Sequence, residues 1–339
     1  MSKRLSIVIP IYNLENYIEN TVNSCLRQDI PKDDYEIILI DDGSKDGSLA
    51  VLDKLKAEHQ NVVVYHKENG GVSSARNKGI ELATGKYLWF VDGDDVVANN
   101  CLNAILRTME DNDVDVLGFK MEHVHSIEER EKVEKEVFFC NEKEKIVDFM
   151  TNRGGVGGGV CSQIFRTELL KDNDLKFNTE IKYSEDVLFS FLALLKCEKV
   201  AKTESVFYYY YQREGSAMHS HKQDEHIKSM HLLAKEYERL AVEYKGTYVE
   251  PIVKSKKHYA VKAMLFSIMR KGDVKLAKKS IKELKEEGLY PYPFLKESLK
   301  NNATKKQVKI NRISYRFPWK WYFMTCVRLV ALKNKIKGR

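Results

Sequence analysis

Tyr87-Leu88-Trp89-Phe90-Val91-Asp92-Gly93-Asp94-Asp95 is the stretch on which the fold turns. Five consecutive β-prone residues run into an acidic turn containing a glycine, which fits a buried strand whose carboxyl end reaches the surface. Open α/β sheets bind their ligands at that edge. Two carboxylates at i and i+2 around a glycine can converge on one hard divalent cation and still leave room for substrate oxygens. The same residues also suit a solvated acidic turn before the next helix, which starts near Asn99 or Asn100. The neighbouring segments decide between the two.

Upstream, strand and helix signals alternate with short connections, the pattern of a parallel sheet covered by helices. Leu5 to Ile9 reads as a first strand, Glu15 to Arg27 as a helix and Glu36 to Ile40 as a second strand. Ser44 or Asp46 can cap a helix through Leu49, Leu52 and Leu55. Val62 to Tyr65 is a third strand, and Ser73 or Ser74 opens a helix that stops at Gly85. Val114 to Phe119 reads as a strand beyond the acidic turn. From about residue 125 the alternation gives way to a charged segment, then Val137-Phe138-Phe139 and a helix-like run from Ile146 to Met150. The glycines between Gly154 and Gly159 require a loop, and with no Lys-Ser or Lys-Thr after them they are not a phosphate-binding P-loop. Charged amphipathic helices follow from Asp224 to about Glu287. No residue set repeats at a fixed period, which excludes a solenoid.

A chain of 339 residues can hold two domains or one large domain with an appendage. No stretch reaches the ~18 uncharged apolar residues of a transmembrane helix, and the start has no signal-peptide pattern, so the expected location is the cytosol. The six cysteines include no C-x-x-C pair and read as reduced thiols, not as a zinc ribbon or a disulfide framework. The net charge of +7 hides an asymmetry: after Glu297 there are twelve Lys and Arg and no acid, so the rest carries a net of −5.

Three strand ends carry complementary chemistry: Pro10-Ile11-Tyr12-Asn13, Asp41-Asp42-Gly43-Ser44 and Asp92-Gly93-Asp94-Asp95. In a parallel sheet they share one edge. Tyr12 offers an aromatic face to a base, Asp42 can accept from ring N–H or ribose groups, and Asp94 with Asp95 can hold a metal on phosphates. The Gly70-Gly71 turn opens a helix that presents Arg76 to a ribose or phosphate oxygen. Singly each has a bland reading; together they describe a nucleotide site.

These segments, with Ala75-Arg76-Asn77 and Asp46-Gly47-Ser48, resemble the family 2 glycosyltransferases, in the same order over residues 5 to 95. The resemblance implies an α/β GT-A fold, a Rossmann-like and mostly parallel central sheet flanked by helices and followed by a helical C-terminal region. It implies a nucleotide-sugar site of Pro10, Tyr12, Asn13, Asp42, Gly71, Arg76, Asp92, Gly93 and Asp94, with a divalent cofactor, Mn2+ or Mg2+, on Asp94 and Asp95. Tyr183-Ser184-Glu185-Asp186 resembles the family's Glu-Asp pair, which makes Asp186 the base and Glu185 its support; without the resemblance, Ser184 to Asp186 read first as a cap for a helix from Val187 to Leu195. Tyr208 to Tyr211, then Arg213 and Ser216, look like a strand and loop that close over diphosphate, or else an edge strand with a polar turn. Cys161 and Gln163 stand where many relatives have Trp and Lys, which leaves acceptor recognition open.

The implied layout is a catalytic domain over 1–220, with a donor half at 1–120 and an acceptor and base half at 121–220, a helical extension over 221–297 and a basic tail over 298–339. The implied activity is inverting transfer of a hexosyl or N-acetylhexosaminyl group from a nucleotide diphosphate, UDP above all, to a glycan or polyprenyl-linked acceptor in bacterial surface polysaccharide synthesis. The rivals are a nucleotidyltransferase, for which Pro10 to Asn13 lacks the basic glycine-rich loop, and a non-catalytic sugar-nucleotide or membrane-binding protein. The tail, with Trp319, Trp321, Tyr322 and its cations, suits an anionic membrane surface at the inner face, or docking on the protein's own body. Nucleic acid is not an expected partner, since no recognised module accompanies the charge.

Overall fold

The computed structural model describes residues 3–126, 130–151, 159–212, 222–289 and 319–336. It divides into two compact units, Met1–Thr179 with Ser184–Ser220, and Glu180–Tyr183 with His221–Arg339. Arg213, Ser216, most of the glycine loop and the tail from 298 to 318 lie outside the described residues.

The first unit is built on one sheet. Its strands are β1 (Leu5–Ile11), β2 (Tyr35–Asp41), β3 (Val62–His66), β4 (Tyr87–Phe90), β5 (Val96–Val97), β6 (Val116–Val124), β7 (Val137–Cys140), β8 (Gln163–Arg166) and β9 (Val200–Tyr211). Every residue of β1, β2 and β4 is buried, because helices cover both faces and the strands read as continuous apolar runs. β3, β2, β1 and β4 lie side by side and parallel, with Leu5 opposite both Tyr35 and Tyr87. The far half is mixed: β8 runs antiparallel to both β4 and β6, while β9 is parallel to β6 and carries β5 and β7 antiparallel. At Tyr208 and Tyr209 β9 is paired on both sides, by β6 and β5, while Tyr210 and Tyr211 pair with β6.

Seven helices of this unit are described: α1 (Ile18–Leu26), α2 (Ser48–Glu58), α3 (Val72–Leu82), α4 (Leu102–Asp111), α5 (Ile146–Thr151), α6 (Thr167–Asp172) and α7 (Glu185–Leu194). α1 starts three residues later than its pattern predicts. The Leu14 and Glu15 amides donate instead to Ser48 Oγ (2.9 Å) and Asp46 Oδ2 (3.1 Å), which ties the loop after β1 to the start of α2.

An aromatic cluster fixes α7 to the sheet. Phe177 and Phe189 stack with centroids 3.9 Å apart, and Phe90 meets them edge-on at 5.3 and 5.9 Å. Each such pair adds about 0.5–1.5 kcal/mol beyond its buried area. Phe90 precedes the acidic turn by two residues and Phe189 follows Asp186 by three, so this packing sets where those acids stand.

The second unit is helical, with α8 (Gln223–Glu243), α9 (Glu250–Lys271), α10 (Val274–Glu286) and α11 (Trp319–Ile336). α9 ends at Gly272 in the left-handed region (φ 70°), and Asp273 caps α10 by accepting from Leu276 N at 2.9 Å. α11 packs on α9 and α10, burying Phe323, Met324 and Val327. Among the described residues no helix is long and apolar enough to cross a membrane.

Candidate active site

Because β2, β1 and β4 are adjacent and parallel, their carboxyl ends share one edge. Pro10 is buried in β1 opposite Ile40, and Tyr12 just beyond it keeps 44% of its surface exposed. Asn13 takes a left-handed conformation (φ 54°), which Asn tolerates better than most residues. Its N–H donates to Ser44 Oγ at 3.1 Å and its Oδ1 accepts from Lys45 N at 2.8 Å, closing the β1 and β2 loops on each other.

Asp42 is buried and organises the glycine turn. Its Oδ1 accepts from Lys67 Nζ (2.5 Å) and Gly70 N (2.9 Å), and its Oδ2 from Gly71 N (2.7 Å). The side chain expected to face a base or ribose is engaged instead by the protein's own donors. Gly71 holds φ 87°, which a side chain would strain, and α3 begins at the next residue.

α3 delivers Arg76 to the centre. Its side chain is 6% exposed and spans two acids: Nη2 donates to Asp92 Oδ1 at 2.8 Å and Nη1 to Glu185 Oε1 at 3.2 Å. The guanidinium lies over Phe177, 5.4 Å from the ring centroid. Burial alone lowers its pKa, but Asp92, Cys161, Glu185 and Asp186 more than reverse this, so Arg76 stays charged. Its Nε is buried with no acceptor among the described residues.

Glu185 and Asp186 form the first turn of α7, where the helix dipole favours carboxylates. Ser184 precedes them in the left-handed region (φ 63°) and makes no capping hydrogen bond, so the cap reading of Ser184 does not describe the local structure. Burial pushes Glu185 up to about 7, Asp186 adds to this and Arg76 opposes it. Asp186 is also raised, by burial against the pull of Arg76. The backbone of Gly159 comes so close that a Cβ there would stand 2.7 Å from Asp186 Oδ2.

The acidic turn splits its carboxylates between two directions. Asp92 and Asp94 remain part-exposed, whereas Asp95 is 1% exposed. Asp95 Oδ1 accepts from Tyr211 N at 2.9 Å and its Oδ2 accepts from the Tyr208 hydroxyl, which itself accepts from Asp92 N at 3.1 Å. Burial, with repulsion from Asp92 and Asp94, pushes Asp95 up to about 8. The expected metal pair of Asp94 and Asp95 thus meets a different arrangement: Asp95 clamps the turn onto β9, and the i, i+2 pair that stays part-exposed is Asp94 with Asp92, whose Oδ1 also accepts from Arg76. One or two carboxylates with substrate phosphates make the usual protein share of a Mg2+ site, so this donor set fits a phosphate-bound cation. Gly93 sits between them, its carbonyl accepting from Thr21 Oγ1 at 3.0 Å.

The contacts of four contributors were not legible in the residue pattern. Phe177 and Gly159 lack any local signal of their role, and the Tyr208 and Tyr211 contacts span 113 and 116 positions; only the tyrosine run itself was visible. Cys161 is buried in the field of Asp92, Arg76 and Asp95, and its carbonyl accepts from Trp89 Nε1 at 2.8 Å.

A family model described as glycosyl transferase family 2 matches residues 6–173. The chain is 35% identical over 218 residues to the poly(ribitol-phosphate) beta-glucosyltransferase of Bacillus spizizenii, covering 63% of this chain and 33% of that protein. It therefore spans about a third of the length of that relative. It is 30% identical over 227 residues to glycosyltransferase GlyG of Streptococcus pneumoniae, covering 64% of this chain and 74% of GlyG. A crystal structure of residues 1–349 of Staphylococcus aureus TarS in complex with UDP superposes with a TM-score of 0.65 at 23% identity, over 99% of this chain and 92% of that one. That likeness is one of fold, and the fold is GT-A. The matched residues are those that build the sheet edge, and on that agreement the chain belongs to glycosyl transferase family 2.

Proposed function

We propose that the chain is a metal-dependent, inverting glycosyltransferase that moves a hexosyl or N-acetylhexosaminyl group from a UDP-sugar to a hydroxyl of a glycan or polyprenyl-linked acceptor. The observation that carries this reading is Arg76: one buried guanidinium joins Asp92 of the donor turn to Glu185, the neighbour of Asp186. The relatives support the donor and polymer class, since one transfers to poly(ribitol phosphate) and another fold neighbour was solved with UDP. In this reading residues 1–120 hold the donor and 121–220 the acceptor and base, and the work is done at the cytosolic face of the membrane on bacterial surface polymers.

Tyr12 stacks on the base, and the loops closed by Asn13 and Asp42 hold the ribose side of the pocket. Asp94 and Asp92 would hold a divalent cation, Mn2+ or Mg2+, which when bound would supply positive charge against the departing diphosphate. The Arg76 Nε N–H, buried without an acceptor among the described residues, supports an anion-holding role for this guanidinium. The acceptor oxygen bonds to the anomeric carbon from the face opposite the diphosphate, the C–O bond to diphosphate breaks, and the acceptor proton passes to the Asp186 carboxylate. The raised pKa of Asp186 makes it a better base than an exposed carboxylate.

Asp186→Asn tests the assignment. Transfer from UDP-sugar is expected to fall by about 10³, while affinity for UDP with Mn2+ changes less than about twofold, since the substitution leaves the turn intact. Retained transfer refutes the base. Release of pyrophosphate from UTP and a sugar 1-phosphate by the wild-type chain, with no UDP released from UDP-sugar, identifies a nucleotidyltransferase instead.

A further inference from the structure

α11 presents two opposite faces. Phe323, Met324 and Val327 are buried against the second unit, with Val330, Ala331 and Asn334 partly covered on the same side; the Gly272 backbone approaches so closely that a Cβ there would stand 2.8 Å from Ala331 N. At about 100° per residue, Leu329, Leu332 and Ile336 fall in one stripe diametrically opposite that face. They are 61%, 56% and 77% exposed. Arg328 and Lys335 border the stripe on one side and Lys333 on the other, all exposed. The helix therefore does not choose between its own body and an outside partner, since it is amphipathic twice over.

We infer that the outer face of α11 is a docking surface for an anionic lipid bilayer, on which the helix lies flat with Leu329, Leu332 and Ile336 in the acyl boundary and Arg328, Lys333 and Lys335 at headgroup depth. The charge of the segment argues for this occupant. Residues 298–339 hold twelve cations and no acid, while the rest of the chain is net negative, so attraction to anionic headgroups is local to the tail. An apolar row between two cationic rows is the arrangement of an interfacial helix. The helix is also too short of apolar length to span the bilayer. This inference does not rest on the transfer chemistry, since it involves no residue of the sheet edge.

Co-sedimentation of the full chain with large unilamellar vesicles tests it. Binding to vesicles of phosphatidylcholine with phosphatidylglycerol is expected to exceed binding to phosphatidylcholine alone by at least about tenfold at low salt, and to weaken as salt screens the charges. The triple variant Leu329→Ser, Leu332→Ser and Ile336→Ser is expected to lose about tenfold or more of that binding. The triple variant Arg328→Gln, Lys333→Gln and Lys335→Gln is expected to lose the preference for the anionic lipid. An unchanged melting temperature and unchanged UDP binding show that each variant is folded and separate this result from the fate of the active-site reading. Equal binding to both vesicle types, or full binding by the serine variant, overturns the proposal. So does a wild-type chain that self-associates in solution and becomes monomeric on serine substitution, which makes the stripe an interface between copies.

Discussion

Two acid groups, the turn Asp92–Asp95 at the end of β4 and the opening of α7 at Glu185–Asp186, are held by different chemistry. Asp95 is gripped by neutral donors, the Tyr208 hydroxyl and the Tyr211 N–H. Glu185 is gripped by a buried cation, Arg76. Burial and like-charge neighbours raise both carboxyls, Asp95 to about 8 and Glu185 to about 7, and at Glu185 the Arg76 guanidinium opposes the rise. The turn is clamped by geometry and Glu185 by charge. Arg76 connects the two clamps, because its other end is on Asp92.

Removing that connection has the largest expected effect. Arg76→Ala leaves Asp92 and Glu185 without their buried partner, and breaking a buried pair from one side costs about 3–5 kcal/mol. Loss of alignment between the Asp92 turn and Asp186, the proposed base, is expected to cost about 10² in kcat/KM. Arg76→Lys keeps a charge but not a fork that reaches both acids, so it is expected to recover melting temperature and little of the activity. If Arg76→Ala keeps transfer within a few-fold, the two acid pairs work independently and the comparison fails.

A smaller effect is expected from the geometric clamp. Tyr208→Phe deletes the hydroxyl that joins Asp92 N to Asp95, leaving a buried acceptor with one partner fewer, at about 1–3 kcal/mol of stability. The turn loosens without losing a ligand. The Mn2+ concentration for half-maximal transfer is therefore expected to rise a few-fold while kcat at saturating metal barely moves. Asp94→Ala removes a proposed ligand outright and is expected to raise the same midpoint by tenfold or more. Metal titrations that rank Tyr208→Phe above Asp94→Ala invert the assignment of these residues.

The contrast also explains how much of the site could be read in advance. β1, β2 and β4 were legible because strands buried on both faces leave continuous apolar runs, and the polar residues that end them mark the ligand edge. Arg76 and the Glu-Asp pair were visible as residue types. What could not be read was direction: adjacent Asp94 and Asp95 differ only in which one turns toward β9, and that depends on Tyr208, 113 positions away. Asp42 is similar, since its oxygens are taken by a turn more than 25 residues downstream. The antiparallel insertion of β8 beside β4 had no local signal either, because four residues of strand pattern do not encode their partner. In the tail, composition showed an amphipathic helix but not its two opposite faces, which appear only once Phe323, Met324 and Val327 are docked.

The smallest expected effect separates the clamps by pH. Glu185 rises from an ordinary 4.5 to about 7 in the folded chain, so the native state binds a proton that the unfolded state has already lost across that interval. Its contribution to stability is complete below about pH 4.5 and declines as pH climbs to about 7. Glu185→Gln has no proton to release, and the fall in melting temperature between about pH 5 and pH 7 is expected to shrink by about 2–4 °C. The slope is reduced and not abolished, because Asp186 and Asp95 are raised in the same direction. An unchanged slope in Glu185→Gln means that Arg76 keeps Glu185 ionised throughout, in which case the charge clamp is stronger than burial and the two acid pairs differ even more than their positions imply.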